Sequence, residues 1–223
     1  MITAFISGYG RMGHMVEKQL QQQGIPCAGW SEDIAATDPQ LAKDCVCIDF
    51  TTPDAFRANY KAIARLFKAA VVGTTGWDDI REEVAEAFRK EGKTLIWASN
   101  FSLGVNALFA AVSRVCDVLK DNGYTPAISE THHIHKLDAP SGTAIVLGAI
   151  VKEHLGVQPE IESFREGEVP GIHTLTLESG CDKLTLTHEA FSREGLAAGA
   201  VLAARMTETV QGVHAFGDLL LGC

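Results

Sequence analysis

Met1-Ile2-Thr3-Ala4-Phe5-Ile6-Ser7-Gly8-Tyr9-Gly10-Arg11-Met12-Gly13 is the stretch that decides the fold. Its first seven residues read as a short buried strand. They run directly into a Gly-x-Gly-x-x-Gly turn and a helical pattern through Gln23. In that context the glycines have distinct roles. Gly8 permits the tight turn, Gly10 lets a pyrophosphate approach the backbone, and Gly13 allows the helix to pack closely on the strand. The helix N-terminus then faces the phosphates. Strand, turn and helix in this order predict a dinucleotide-binding unit, with Gly8, Tyr9, Gly10, Arg11, Met12 and Gly13 along the ligand's path.

The same fingerprint expects an acid about 20 positions on, at the end of the second strand, to accept the ribose 2′-OH. Cys27-Ala28-Gly29-Trp30-Ser31-Glu32-Asp33 stands there, with Glu32 or Asp33 as the acid and the strand ending at Trp30 or Ser31. No Lys or Arg adjoins it to grip a 2′-phosphate, which favours NADH over NADPH and leaves dual use open. Cys45–Phe50 reads as a second buried strand, and Thr51-Thr52-Pro53 opens a helix through about Lys68. Val71–Gly73 is the next strand, and Gly73-Thr74-Thr75-Gly76 follows at its carboxyl end, where open α/β sheets place ligands; a simple turn is the alternative. Asp78–Lys90 is an exposed helix, and Thr94–Ala98 a strand ending in Ser99-Asn100-Phe101-Ser102. Sustained strand–helix alternation predicts an α/β, Rossmann-like, doubly wound parallel sheet.

The pattern changes at Leu103. A long helix carries Leu108, Phe109, Val112, Val115, Cys116 and Leu119 on one stripe and closes near Asn122-Gly123. Strands at Thr125–Thr131, Glu160–Phe164, Ile172–Glu178 and Lys183–His188 follow, the last two alternating Leu with Thr or charged residues. They predict a second α+β domain on a mixed, mainly antiparallel sheet. The helix Gly142–Leu155 shields one face, and the Thr-rich face is left for another subunit. Ala197–Thr209 returns to helix, and the apolar tail 212–221 folds back on the first domain. The expected division is a dinucleotide-binding domain at 1–102, completed by 193–223, and a substrate-binding and oligomerisation domain at 103–192. Crossings near Asn100–Asn106 and Phe191–Glu194 form a hinge whose closure excludes water.

Between the strand and helix of that second domain lies Glu130-Thr131-His132-His133-Ile134-His135-Lys136-Leu137-Asp138-Ala139-Pro140-Ser141-Gly142-Thr143-Ala144. Pro140 suits a turn or first-turn position, Ser141 can cap, and Gly142 and Thr143 offer backbone N–H groups at a helix N-terminus, a ready anion site. Lys136 reaches the same ligand, and His132, His133 and His135 exchange protons near neutral pH. Together these groups can hold an acid and protonate it. Two blander readings compete: a metal site from His133, His135 and Asp138, and a solvated capping loop. No HExxH or paired CxxC supports the metal, so none is expected.

Composition bounds the rest. With 223 residues, 46% hydrophobic and 21% charged, the chain buries a proper core. A net charge of −9 argues against nucleic acid or an anionic membrane as partner. A dianionic substrate remains compatible, because charges beyond about 8 Å are screened at physiological salt. Cys27, Cys45, Cys47, Cys116, Cys181 and Cys223 form no framework and read as reduced core thiols. No signal peptide and no apolar run of about 18 residues are present, so a cytoplasmic setting is expected.

Five segments together resemble the dihydrodipicolinate (4-hydroxy-tetrahydrodipicolinate) reductase family: Gly8–Gly13, Asp49-Phe50-Thr51, Gly73–Gly76, Asn100-Phe101-Ser102 with Gly104-Val105-Asn106, and above all His132-His133 through Ala144. The resemblance covers nearly the whole chain. It implies reduction of a cyclic, imine-bearing dicarboxylate by NADH or NADPH in lysine and diaminopimelate synthesis, and a homotetramer built through the second domain's sheet. The family's catalytic pair falls on His132 and Lys136. Its substrate-carboxylate positions fall on His133, Gly142 and Thr143, and its cofactor path on Gly8 to Gly13, Gly73, Thr74, Thr75, Ala98, Ser99, Asn100 and Phe101. Three departures stand out: Ile134 where a basic residue is common, a short stretch between Arg165 and His173, and Ser31 at the usual ribose-selecting acid. Two other classes stay open, a reductase of another imine or aldehyde and a non-catalytic NADH sensor.

Overall fold

Six short strands, β1 (Thr3–Ser7), β2 (Cys27–Ser31), β3 (Cys45–Asp49), β4 (Ala69–Val72), β5 (Thr94–Trp97) and β10 (Val213–Ala215), form a wholly parallel sheet in the order β10-β5-β4-β3-β1-β2. Successive side chains of a strand point to opposite faces, and here both faces are covered. Ala4, Ile6, Val46, Ile48, Ala69, Val71 and Ile96 pack with Val16 and Leu20 of α1 (Arg11–Gln22), Ala200, Val201 and Ala204 of α7 (Glu194–Met206), and Phe216 of α8 (Phe216–Leu221). The intervening residues Phe5, Cys45, Cys47, Ala70, Val72 and Leu95 pack with Phe56, Tyr60 and Ile63 of α3 (Pro53–Leu66) and Val84 and Phe88 of α4 (Arg81–Lys90). Two-sided burial is why these strands are continuously apolar. Thr52 caps α3 by accepting from Ala55 N at 3.3 Å, and Pro53 occupies its first turn.

This computed structural model describes residues 1–222, which form two units: 1–102 with 196–222, and 103–195. The return crossing thus falls between Gly195 and Leu196. The apolar tail supplies β10 as the sixth strand beside β5. A short α2 (Pro39–Ala42) and single 3-10 turns at Ile34–Ala36 and Asp78–Ile80 complete the first unit, the latter turn replacing the start of the helix expected at Asp78. Of the cysteines, Cys45, Cys47 and Cys116 are buried and Cys27 half-buried. Cys181 is exposed, because the β-hairpin turn that carries it leaves the sheet, so it is not the core residue expected; Cys223 lies outside the described residues. Among the described residues no helix is long and apolar enough to cross a membrane.

In the second unit α5 (Leu103–Leu119), β6 (Thr125–His132), α6 (Gly142–Leu155), β7 (Glu160–Arg165), β8 (Ile172–Glu178) and β9 (Lys183–Glu189) follow in turn. The sheet order is β7-β6-β8-β9, with β6 and β7 parallel and the other pairs antiparallel. Its register sorts the inner face into rows. Ile128, Ile161, Leu175 and Leu186 lie side by side and pack with Leu108, Val112 and Cys116 of α5 and Leu147 and Val151 of α6. One row further on stand Glu130, Ser163, His173 and His188, and then His132 beside Arg165. The inner face therefore passes from apolar to polar towards the N-terminus of α6. The outer face carries Thr174, Thr176, Thr185 and Thr187 and remains uncovered within the chain.

Gly199 sits in α7 where a Cβ would lie 1.8 Å from the Phe101 carbonyl oxygen. Alanine gains about 1 kcal/mol of helix propensity, but overpacking against backbone costs about 1–3 kcal/mol. Gly199→Ala is therefore expected to lower the urea midpoint; a raised midpoint would refute the packing argument.

Candidate active site

The winding of the parallel sheet reverses between β1 and β3, the place where doubly wound sheets take ligands. There Asp49 ends β3, buried, and accepts from Ser7 Oγ (2.5 Å), Thr74 Oγ1 (2.5 Å) and Thr51 Oγ1 (3.1 Å). Burial pushes its pKa up, while the three hydroxyls pull it back without cancelling the shift. Thr51 N in turn donates to Thr74 Oγ1 at 2.8 Å. The cluster fastens the loops after β3 and β4 to the end of β1.

On this base the glycine turn is tight. Gly8 has φ +85°, and a Cβ there would meet Thr51 Cγ2 at 2.7 Å and Phe50 O at 2.8 Å. A Cβ on Gly13 would lie 2.3 Å from Gly8 O, and one on Gly73 would enter the Phe50 ring at 2.1 Å. A Cβ on Gly10 would meet nothing within 4 Å. Gly10 provides no side-chain cap for α1, and the first turn holds no acid. An open, uncapped helix N-terminus fits a pyrophosphate.

The other residues expected on that path have distinct surroundings. The Tyr9 ring stacks on Trp30 at 4.4 Å, and its hydroxyl donates to Glu17 at 2.5 Å. Arg11 is exposed, and Met12 packs against the core. Ser31 closes β2, but its hydroxyl is engaged locally, donating to Asp33 O (2.8 Å) and accepting from Asp33 N (3.0 Å). The Asp33 carboxylate caps the following turn through Ala36 N. Glu32 is exposed, and no hydrogen bond ties its carboxylate to a neighbour among the described residues. Thr74 is turned inward to Asp49 and Thr75 outward. Beyond β5 come Ala98, Ser99 and Asn100, whose Oδ1 accepts from Ser102 N at 2.8 Å. Phe101 is a core ring, 5.0 Å from Phe216 and 6.2 Å from Phe50, so only its main chain is left for a ligand.

In the second unit the histidine loop leaves β6 at the polar end of the inner face. His132 is buried, its Nδ1 in close contact with Glu130 Oε2, and Arg165 Nη1 donates to Glu130 Oε1 at 3.1 Å. Arg165 also donates to the carbonyls of Lys136 (3.3 Å) and Asp138 (2.6 Å), pinning the loop. Burial raises the Glu130 carboxyl, but hydrogen bonds from Ser163 and Arg165 and the His132 charge outweigh it, so its pKa lies below the usual value. Burial lowers His132; Glu130 opposes and Lys136 and Arg165 add to the effect, leaving a net depression. Lys136 Nζ donates to both Asp138 oxygens, at 2.7 and 2.8 Å. His133 Nε2 accepts from Arg193 at 3.2 Å, whereas His135 lies out in solvent against Glu168. Helix α6 begins at Gly142, with Ser141 as its cap accepting from Ala144 N at 3.2 Å. Pro140 therefore precedes the cap. Gly142 and Thr143 form the first turn, which holds no acid.

His133, His135 and Asp138 are thus engaged with three different partners and make no common metal site. Glu130, His132 and His173 do converge, their ligand atoms within 4.8 Å of one another. Yet Arg165 holds Glu130, Ser141 Oγ meets His173 Nε2 at 3.2 Å, and Lys136 adds positive charge. The set is ill suited to a cation. Sequence reasoning does not single out Glu130, Arg165, His173 or Arg193. Only Glu130 carries a local signal: two residues before His132, it shares that residue's face of a strand.

The chain is similar to known proteins over nearly its whole length. Residues 22–101 match the family model described as dihydrodipicolinate reductase, N-terminus, and residues 104–220 match dihydrodipicolinate reductase, C-terminus. The chain is 38% identical to a 4-hydroxy-tetrahydrodipicolinate reductase of Christiangramia forsetii, over 96% of this chain and 95% of the relative. It is also 38% identical to one of Methanopyrus kandleri, over 82% and 74%. The fold is similar to that of a dipicolinate-bound dihydrodipicolinate reductase from Paenisporosarcina sp. TG-14, with a TM-score of 0.80 at 18% identity and coverage of 96% and 97%.

Two outcomes follow from the geometry. Gly13→Val is expected to reduce dinucleotide affinity at least tenfold by calorimetry, since the new side chain must displace the Gly8 carbonyl; undiminished binding would sink the turn assignment. His173, with only 5% of its surface exposed, is pushed down to about 4 by burial, then by the neighbouring charge of His132. A depressed histidine favours the fold above its unfolded pKa of about 6.5, and that stability is lost as pH falls from about 6.5 to 4. The loss amounts to about 3 kcal/mol. His173→Gln is expected to flatten this part of the stability–pH curve, and an unchanged slope would contradict the assignment.

Proposed function

The chain belongs to the dihydrodipicolinate reductase family, and from that membership we propose how its residues reduce 4-hydroxy-tetrahydrodipicolinate. It is a pyridine-nucleotide-dependent oxidoreductase of lysine and diaminopimelate synthesis. Once the 4-hydroxyl has left as water together with a ring proton, a bound nicotinamide nucleotide would supply a hydride to the electron-poor carbon then conjugated with the cyclic imine. The protein itself must bind two carboxylates, take up the negative charge that hydride addition creates, and deliver one proton.

His132 delivers that proton. It is buried beside a carboxylate and two cations, and the bound substrate's own carboxylates raise its proton affinity at the moment of need. Lys136 exchanges Asp138 for the substrate and neutralises developing charge on nitrogen. His133 and the backbone N–H groups of Gly142 and Thr143 hold a carboxylate at the start of α6. The carrying observation is the apolar-to-polar sequence of rows on the inner sheet face, which puts His132 at the mouth of a helix N-terminus free of acidic residues.

The turn Gly8–Gly13 holds the pyrophosphate, with Gly73 to Thr75 and Ala98 to Phe101 along the remaining cofactor path. Glu32 accepts the ribose 2′-OH in place of Ser31 and Asp33, whose side chains are occupied locally. Its charge repels a 2′-phosphate, so NADH is the preferred cofactor. The uncovered threonine face of the second sheet supports a homotetramer, and the free thiols fit a reducing cytoplasm.

In an assay that generates the unstable substrate enzymatically, His132→Ala and Lys136→Ala are expected to lower kcat by 100-fold or more, with NADH affinity changed less than about threefold. Wild-type turnover in either correctly folded variant would refute the assignment. Reduction of unrelated imines in preference to the cyclic dicarboxylate would favour the broader reductase reading.

A further inference from the structure

We propose that Glu130 is a positioning residue for His132: held by Arg165, its carboxylate keeps the proton of the neutral imidazole on Nδ1 and so makes Nε2 the atom that gives and regains the proton of the reaction. The inference rests on the reading of His132 as the proton donor.

The side chain of Glu130 has no exposed surface, and it follows Ile128 on a face that is otherwise core. A buried carboxylate is costly unless both oxygens are matched. One is matched by Arg165 at 3.1 Å, Ser163 adds a hydrogen bond to the carboxylate, and the other oxygen lies against His132 Nδ1. An ionised carboxylate accepts and never donates, so Nδ1 must carry the hydrogen. The opposite nitrogen, Nε2, lies beside Gly171. A Cβ there would stand 2.9 Å from Nε2 and 3.3 Å from the adjacent ring carbon. Glycine keeps the approach to that nitrogen clear.

Charge gives the second argument. Four groups surround the His132 ring: Glu130 on its own strand, Arg165 on β7, His173 on β8 with its ring 5.0 Å away, and Lys136 in the loop. Burial, Lys136 and Arg165 all disfavour the imidazolium, and Glu130 alone among these favours it. The ring of His173 is held neutral by its own burial and meets Ser141, so it offers no substitute. Removing the Glu130 charge leaves an imidazole that stays neutral to lower pH.

The test is the pH profile of kcat/KM for the full-length enzyme with NADH. If the proton comes from His132, the rate falls as pH rises through its pKa. Glu130→Gln keeps the shape and loses the charge. Its falling limb is expected about one unit lower in pH, with about tenfold lower kcat/KM above the wild-type limb and an unchanged NADH Kd. Glu130→Asp is expected to restore part of the displacement. A limb in folded Glu130→Gln that coincides with wild type would overturn the positioning role. His132→Gln separates the two levels: if it keeps the wild-type profile, the donor assignment itself fails, whereas lost activity there with an unmoved limb in Glu130→Gln rejects the inference alone. Should Glu130→Gln not fold, imidazole 15N shifts of the wild-type protein decide. A neutral His132 protonated at Nδ1 supports the proposal, and one protonated at Nε2 overturns it.

Discussion

The nucleotide-binding unit depends on a single buried acid. Asp49 stands where the parallel sheet reverses its winding, and three hydroxyls, from Ser7, Thr51 and Thr74, converge on it. Desolvating a carboxylate costs several kcal/mol, and hydrogen bonds to a charged group return about 1.5–3 kcal/mol each. The three donors offset much of the desolvation without cancelling it. The three donors come from the ends of three neighbouring strands, so satisfying the acid also registers the loops after β1, β3 and β4 against one another. The glycine turn exploits this precision: Gly8 and Gly73 lie so near Phe50 and Thr51 that a methyl group at either would break the arrangement.

The second unit solves a similar problem with different partners. Its sheet is a dry core over most of its inner face and changes character over two successive rows, from Ile128 to Glu130 to His132. Because side chains alternate, no other spacing could put the carboxylate and the imidazole on the same face in successive rows. Cross-strand register then brings Arg165 beside His132, and His173 opposite Glu130. A rigid sheet thereby sets distances that a loop alone would leave loose, while the loop supplies the ammonium and the helix N-terminus.

Much of this is legible in the sequence, for identifiable reasons. The parallel sheet follows from local signals, apolar strands punctuated by glycine turns and capped helices, and Pro53 and Thr52 start α3 where their chemistry predicts. The tail's return is signalled only by its apolarity, but that suffices, since an apolar tail must find a sheet edge or a core. What escapes depends on pairing between distant segments. Arg165 and His173 are ordinary strand residues until register places them around Glu130, and Arg193 matters only through His133. Ser31 reads as available at the ribose position because a local turn that consumes its hydroxyl has no clear sequence signature. The cluster of three histidines overstates convergence: His135 lies too far along the loop and faces solvent.

Under the proposed function, the ion pair between Lys136 and Asp138 is the place where a chain of net charge −9 meets a dianion. Asp138, more than half of whose side chain is in solvent, is the carboxylate partner of the ammonium. Partly exposed pairs of this kind contribute about 1 kcal/mol or less, so in the proposed reaction a substrate carboxylate replaces Asp138 at little cost. In that reaction the ammonium then keeps one carboxylate neighbour throughout. Arg165 stays out of that exchange, because its remaining hydrogens go to the carbonyls of Lys136 and Asp138 and hold the loop in place. In the proposed reaction the exchange at Lys136 and the proton transfer at His132 are therefore separable, one governed by a labile exposed acid and the other by a fixed buried one.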